Sequence, residues 1–477
     1  MSKRSMVSAG VRTGVGVVAV AIGAAVVAGA TLLPLPTLSE TPAGRVVTPV
    51  ALDQQRVCAG SLLQLNGDSG ASATSVTAGS AARTVTAAGS AGSGAVQKPT
   101  TDSLKGSDGA ASKPLLVTAE AKGSTTVPAV AAAQSAASST SALKGFAASP
   151  CAEPTSSTWL VGGSTETGRT SLINLVNASD VNSTVDLAVY GEDGKVEGPG
   201  LTGIVVAPGS QKVVPLSGFA TGLASPVVHV VSRGGQISSS LQVSVVRTLE
   251  AGGLDTVSAS ASPSRSVTVP GVIVHSDNAL QTATGKDGYG DLLPILRTYV
   301  PGSVNARIAI EMRTADGTGA TFSVTAQAGQ VTDIPLDGLA TGQYTAFVTS
   351  NVPVVAGTRT STLARDGDID LAWAGAAPSL SGSTLFAVPA GPSPRLVVAN
   401  PTSKVVSATL SVRGKSAKKL QVPSGGSVAV ALSPDAVASL SKADGLRAGL
   451  SFSSSSQVAS YALFSPTAVS TPVTVYP

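Results

Sequence analysis

The chain is predicted to be all-β: three tandem immunoglobulin-like β-sandwich modules behind an N-terminal apolar span and a low-complexity segment. Three observations lead there. The phrase Pro208–Gly222 (PGSQKVVPLSGFATG) returns 120 residues later as Ala328–Gly342 (AGQVTDIPLDGLATG), and a shorter echo runs Gly425–Pro434. Self-similarity at such a period marks an array of like modules. Short runs of Val, Leu and Ile are separated by Gly, Ser and Pro, as many short strands are. Aromatic residues make up 3% and charged residues 12% of 477 residues, so the cores must be aliphatic and a highly charged disordered chain is excluded.

Taken in order, residues 1–13 carry Lys3, Arg4 and Arg12 and no acid, and form a cytoplasmic basic N-terminus. Gly14–Leu33 is 20 residues without a charge, long enough to cross a bilayer core of about 30 Å. The positive flank predicts a single-pass span with the N-terminus inside and the bulk extracytoplasmic. The length favours an uncleaved anchor over a cleaved signal ending near Ala28-Gly29-Ala30; cleavage would make the chain secreted. Residues 34–157 read as an extracytoplasmic low-complexity segment with a few strands, suggested at Arg56–Asn66 and Pro114–Thr118. Gly67–Lys113 and Val127–Ala142 are rich in Gly, Ala, Ser and Thr, and the former is expected to be flexible or weakly stranded.

The modules are placed at 158–262, 263–380 and 381–477. In TVDLAVY, Val185, Leu187 and Val189 share one face of a strand. Ile308, Ile310 and Met312 stand at an offset of 123, and Ala408, Leu410 and Val412 lie 100 further on. Asn177, Val300 and Asn400 are equivalent in the same way. Glu192-Asp-Gly-Lys195 carries the signal of a tight hairpin turn. Pro215 and Pro335 are expected at strand ends, where a missing N–H costs least. The second module has a polar loop inserted at Ser276–Leu292. Asp435–Leu446 is the nearest approach to a helical pattern, one or two turns in a loop.

Chemistry-bearing groups are few. Two His and two Cys in the chain leave little material for a His/Cys metal site. Cys58 and Cys151 follow an exported-looking leader and are expected to form a disulfide, the alternative being two free thiols in loops. Asp366, Asp368 and Asp370 are two apart, so a loop could turn their oxygens toward one calcium, but the Gly and distal Glu of an EF-hand are absent, and a solvated loop is the simpler reading. Asp287-Gly-Tyr-Gly-Asp291 is similar, with a stronger turn signal. His229, in PVVHVV, reads as a strand-surface residue without partners, and His275 is similarly alone. Lys415, Lys418 and Lys419 read as a solvated hairpin tip. The scattered basic residues exclude a nucleic-acid surface. Asn177-Ala-Ser179 and Asn182-Ser-Thr184 fit the glycosylation sequon. No nucleophile elbow, HExxH, P-loop or dinucleotide fingerprint is present, and no cofactor is implied.

The apolar leader, the two cysteines, the Trp159-Leu-Val-Gly-Gly163 opening and the repeated PGS…PL…G phrase resemble an uncharacterised family of actinobacterial secreted or membrane-anchored envelope proteins. The Ala/Gly/Val-rich composition suits such a source. The resemblance implies a cell-envelope location and brings no catalytic residues. The sequence thus points to a non-enzymatic cell-envelope scaffold or binding protein. It would contact the membrane through residues 14–33 and engage a cell-wall polymer or an envelope protein. The alternative is an accessory subunit of a membrane-bound enzyme of envelope-glycan assembly.

Overall fold

Alternation sets the faces of the strands. In Ser183–Gly191, Val185, Leu187 and Val189 are buried while Thr184, Asp186, Ala188 and Tyr190 are half-buried, the period of a strand with one covered face. Ile308, Ile310 and Met312 behave alike in Ala306–Arg313, as do Ala408 and Leu410 in Val406–Val412. Each set lies in the core of its own module, so the sequence offsets hold at the level of side chains. The computed structural model describes residues 18, 20–25, 29, 45–47, 52–65, 76–90, 93–107, 113–121, 128–276, 278–467 and 473–475.

The chain divides into two units, Val50–Ser470 and a smaller one made of Met1–Pro49 with Thr471–Pro477. In the smaller, Arg45–Val47 pairs antiparallel with Val473–Val475. Most of the predicted span 14–33 falls outside the described residues. Those that are described there (18, 20–25 and 29) are helical and exposed. Among the described residues, no helix is long and apolar enough to cross a membrane.

In the larger unit the module at 157–257 shows the plan. Its strands are Ser157–Val161, Arg169–Asn177, Ser183–Gly191, Gly194–Val196, Ser210–Pro215, Val227–Gly234, Ile237–Arg247 and Glu250–Val257, counted here as first to eighth, with the short Ile204–Val206 added beside the third. One sheet has the order first, sixth, third, fourth; the other has fifth, second, seventh, eighth. Leu160, Leu187 and Val230 from one sheet meet Ile173, Leu175 and Leu241 from the other, closing a sandwich core. The module at 384–462 repeats both orders strand for strand. The module at 264–375 does too, except that its sixth and seventh strands are one continuous strand, Gly342–Leu363, passing from one sheet to the other. In an immunoglobulin sandwich the first strand pairs with the second and the seventh with the sixth. Here the first pairs with the sixth and the seventh with the second. The architecture is all-β with stacked sheets, but this pairing is not the immunoglobulin one. Alternation reveals which face of a strand is covered; it carries no record of which backbone lies alongside.

The low-complexity segment holds a further, reduced sandwich. Gln54–Cys58, Leu115–Ala119 and Thr100–Ser103 form one sheet; Lys144–Pro150, Pro128–Ser139, Arg83–Ser90 and Ser93–Gln97 form the other. Cys58, Val117 and Ala119 meet Ala88, Val130 and Ala132 between them. Parts of Gly67–Lys113 lie outside the described residues, but its described residues include four strands. The alanine-rich composition of Pro128–Ser139 has a packing cause. Val130 and Ala132 face this sandwich's own core, whereas Ala131 and Ala133 face Leu385 and Ala387 of the last module. A strand pressed on both faces has room for little beyond a methyl group.

Two smaller corrections follow. The insertion at 276–292 is not only a loop: Asn278–Thr284 is an α-helix burying Leu280 and Ala283. Val437–Ser441, in the stretch read as helical turns, is a strand with Ala438 and Leu440 in the core. Its spacing satisfies both periods, and sheet pairing decided between them.

The four sandwiches form a closed ring. Lys144–Pro150, which holds the eighth-strand place in the reduced sandwich as Pro128–Ser139 holds the seventh, packs at the ring's centre with the eighth strands Glu250–Val257, Ile369–Gly375 and Val458–Ala462, each against the next and the last against the first. Outside this hub, the first strand of each of the second, third and fourth sandwiches lies against the seventh strand of the following one, with the fourth meeting the first. Repeated head-to-tail contacts close into a ring when the rotation between units allows it. Closure is sealed by Phe146 and Phe452, centroids 5.9 Å apart, and by an Arg83–Asp435 ion pair at 2.5 Å.

Candidate functional site

Two places use residues from all four sandwiches. The first is the hub. Asp370, fully buried, stands seven residues before Ala377, whose N–H bonds back to the first strand at Thr268. Seven residues before the corresponding Ala152 and Ser260 are Gly145 and Gly253. These glycines make room: a Cβ on Gly145 would lie 2.3 Å from Asp370 Oδ1. The Asp370 carboxyl accepts backbone N–H bonds from Phe146 (3.1 Å), Leu254 (3.2 Å) and Val458 (3.1 Å), one from each of the other sandwiches. Burial pushes its pKa well above the carboxylate range, against the pull of these N–H groups. Asp255, also fully buried, accepts from Trp373 N at 2.6 Å and Thr256 N at 2.7 Å, and burial pushes it up to about 8.

The Asp366/Asp368/Asp370 group is thereby divided. Asp370 points into the hub, Asp368 pairs with Lys144, and Asp366 accepts the Asp368 N–H at 3.3 Å. Among the described residues, no group of three or more His, Cys, Asp or Glu could hold a metal.

The second place is an axial pocket of about 280 Å³ at the carboxyl ends of the eighth strands. Its wall takes Cys151 and Ala152 from the first sandwich, Ala259 and Trp159 from the second, Pro378 from the third, and Leu463 from the fourth. The main chain here repeats one device. Val57 and Ala152 exchange N–H···O bonds of 2.8 and 3.0 Å, and Ser260 N donates to Trp159 O at 2.8 Å. The Cys58–Cys151 disulfide joins the residues beside the first of these contacts. Arg56 and Glu153, the charged residues of the wall, pair at 3.1 Å, and Glu153 also accepts from Thr467.

Neither histidine is alone: His275 Nε2 lies 3.5 Å from Ser453 Oγ, and His229 has closer partners. Its ring stacks on Trp159 with centroids 4.0 Å apart, and its Nε2 lies 2.8 Å from Ser157 Oγ. Burial lowers its pKa, which keeps it neutral at pH 7. Trp159 and its neighbour Tyr190 pack against Tyr299 of the third sandwich. The same interface holds Arg297, which the sequence did not single out. Fully buried, it forms a bidentate pair with Asp333 (2.8 and 2.9 Å) and donates to the carbonyls of Gly163 (2.8 Å), Ala224 (3.1 Å) and Pro226 (3.2 Å) in the second sandwich. Burial alone would raise the Asp333 carboxyl, but the Arg297 charge holds it below its usual range. Asp291 of the insertion accepts from Arg169 and Arg247, docking that segment on the second sandwich.

The sequon at Asn177 has a structural use. Its Nδ2 donates to Val181 O (2.7 Å) and Val206 O (3.0 Å), and Asn400 makes the same bonds to Lys404 O and Val422 O. Lys415, Lys418 and Lys419 are exposed, the last two on the edge strand Lys418–Val422, where charge discourages unwanted pairing.

Fold and site together define a class: an all-β chain of four sandwiches closed around an axial pocket. The chain belongs to DUF5719, a family of unknown function, whose model matches residues 100–434. That match starts inside the first sandwich and ends inside the fourth. No curated protein matches the chain. Among solved structures it is similar to a "Biofilm associated protein - BSP domain" at 9% identity, covering 92% of this chain and 100% of that one, with a TM-score of 0.12. A likeness that low carries no argument about fold or function.

Proposed function

We propose that this protein is a non-enzymatic, extracytoplasmic binding protein of the cell envelope, and that the axial pocket is its binding site. The observation that carries this reading is the pocket's wall, built from all four sandwiches, with its two charges paired to one another. Rigid elements from every module converge on one concavity, which suits recognition more than reaction. Ser157 and His229 come nearest to a nucleophile and base. Among the described residues no carboxylate orients His229, and Ser157 lies on an extended strand rather than a sharp turn with converging N–H groups. The disulfide suits an oxidising compartment, and the apolar leader suits anchorage there. The test is native mass spectrometry of protein purified from its own membrane fraction. A bound small molecule in the wild type, missing from an Ala259→Phe variant, is the expected result; identical ligand-free spectra overturn the reading.

A further inference from the structure

We infer that the axial pocket takes a hydrocarbon chain, the acyl tail of a lipid, and leaves the headgroup in water. This deepens the binding-site reading and rests on it. Three features of the wall select the chain. Its charges are already matched: Arg56 pairs with Glu153, which Thr467 also binds, so neither is free to hold a charged headgroup. Several of its hydroxyls are bonded within the protein, and Ser239 Oγ is one that is buried there without a partner. Thr155 Oγ1 meets Ser157 O at 3.1 Å and Thr158 Oγ1 at 3.0 Å; Ser260 Oγ donates to Ala356 O at 3.2 Å; Thr384 and Ser465 share a 2.8 Å bond. A sugar needs unpaired donors and acceptors at fixed points and would leave its own hydroxyls unmatched.

What the wall offers instead is apolar: alanine methyls, Pro378, Leu463 and the exposed ring of Phe464, 39% accessible at the wall. A buried cavity of about 150 Å³ accepts benzene. By that scale 280 Å³ holds on the order of ten carbons. The alanines are small because the strands carrying them are pressed between sandwiches, so the pocket is a by-product of ring closure that only a slender ligand can fill.

The test titrates the full-length, disulfide-bonded chain with 1-hexanol, 1-octanol, 1-decanol, decanoate, decyltrimethylammonium and maltotriose, by calorimetry. Affinity should rise about fourfold per added methylene from hexanol to decanol, the factor that about 0.8 kcal/mol per buried CH₂ implies. Decanoate and decyltrimethylammonium should bind within about threefold of decanol, since the head stays in water. Ala259→Phe and Ala152→Leu, from two different sandwiches, should each abolish decanol binding while leaving the thermal midpoint in place. A flat chain-length series, a preference set by headgroup charge, or decanol binding retained in both folded variants overturns the inference. If maltotriose binds and Ala259→Phe blocks it, the pocket remains the binding site and the hydrocarbon assignment fails. If no probe binds and the native-membrane spectra are also empty, both readings fail.

Discussion

Replacing Asp370 tests whether the ring is locked at its axis. In Asp370→Ala, the N–H groups of Phe146, Leu254 and Val458 lose their acceptor together. A buried donor left unpaired costs about 1–3 kcal/mol. Three such losses, part-relieved by relaxation and by removal of a carboxyl that burial already disfavours, give a net loss of about 3–6 kcal/mol. Asp370→Asn should cost less, about 1–3 kcal/mol. Its single oxygen can serve Phe146 and Val458, while its amide faces the Leu254 N–H. Gly145→Ala provides the independent arm. Its Cβ would fall 2.3 Å from Oδ1 and 2.9 Å from Leu254 Cβ, at φ +140°, so the carboxyl must move. Urea unfolding at pH 7, followed by circular dichroism, reads all three. Because Gly145 and Asp370 contest the same space, the double variant should lose clearly less than the two single losses added together. Strict additivity, or an Asp370→Ala loss below about 0.5 kcal/mol, the range of ordinary surface changes, would refute the keystone role.

Four further expectations follow from the same contacts. Asp255, raised to about 8 by burial, holds a proton in the folded chain that the unfolded chain has released above about pH 4. Stability should therefore fall as pH rises from about 4 to about 8, by at most about 1.4 kcal/mol per unit from this group, with Asp370 acting in the same sense. Asp255→Asn should flatten the curve, and a wild-type stability that climbs from pH 5 to 8 contradicts it. Replacing Cys58 and Cys151 with alanine releases a constraint across 93 residues, worth about 4–5 kcal/mol in the chain-entropy model. An unchanged thermal midpoint would show that ring packing alone fixes the first sandwich. Asn177→Ala and Asn400→Ala should each cost about 1–3 kcal/mol, because each takes a donor from one buried carbonyl, Val206 O or Val422 O, and from one part-buried carbonyl that keeps a hydroxyl donor, Val181 O or Lys404 O. In a glycosylating host Asn177, fully buried, should stay unmodified, and a glycan found there by peptide mapping would contradict the packing. Finally, Ser157→Ala should hydrolyse p-nitrophenyl acetate no more slowly than the wild type; a clear loss would make Ser157 and His229 a nucleophile and base and contradict the non-enzymatic reading.

The three sets around Leu187, Ile310 and Leu410 were legible because a strand with one covered face must alternate, and each set does so in the same register. The Pro215 and Pro335 strand ends were legible for a similarly local reason. The sandwich at 54–150 was hidden by its own packing. Alanines buried on both faces of Pro128–Ser139 carry no polar–apolar contrast, so alternation has nothing to act on. Asp370 was noticed for its spacing from Asp366 and Asp368. Its true partners, Phe146, Leu254 and Val458, are backbone groups at least 88 residues away. Nothing in a side-chain pattern marks a backbone N–H as someone else's donor. Arg297 looked like any strand arginine until the carbonyls of another sandwich surrounded it.

Sequence by itself determined the β class, the repetition of one strand pattern along the chain, and the faces those strands bury, since each follows from periods of two and turn chemistry within a few residues. Tertiary structure alone decided the strand pairing, the fourth sandwich, the ring and its axial pocket. Those depend on which distant backbones meet, and that choice is made by shape and unpaired hydrogen-bonding groups spread across the whole chain.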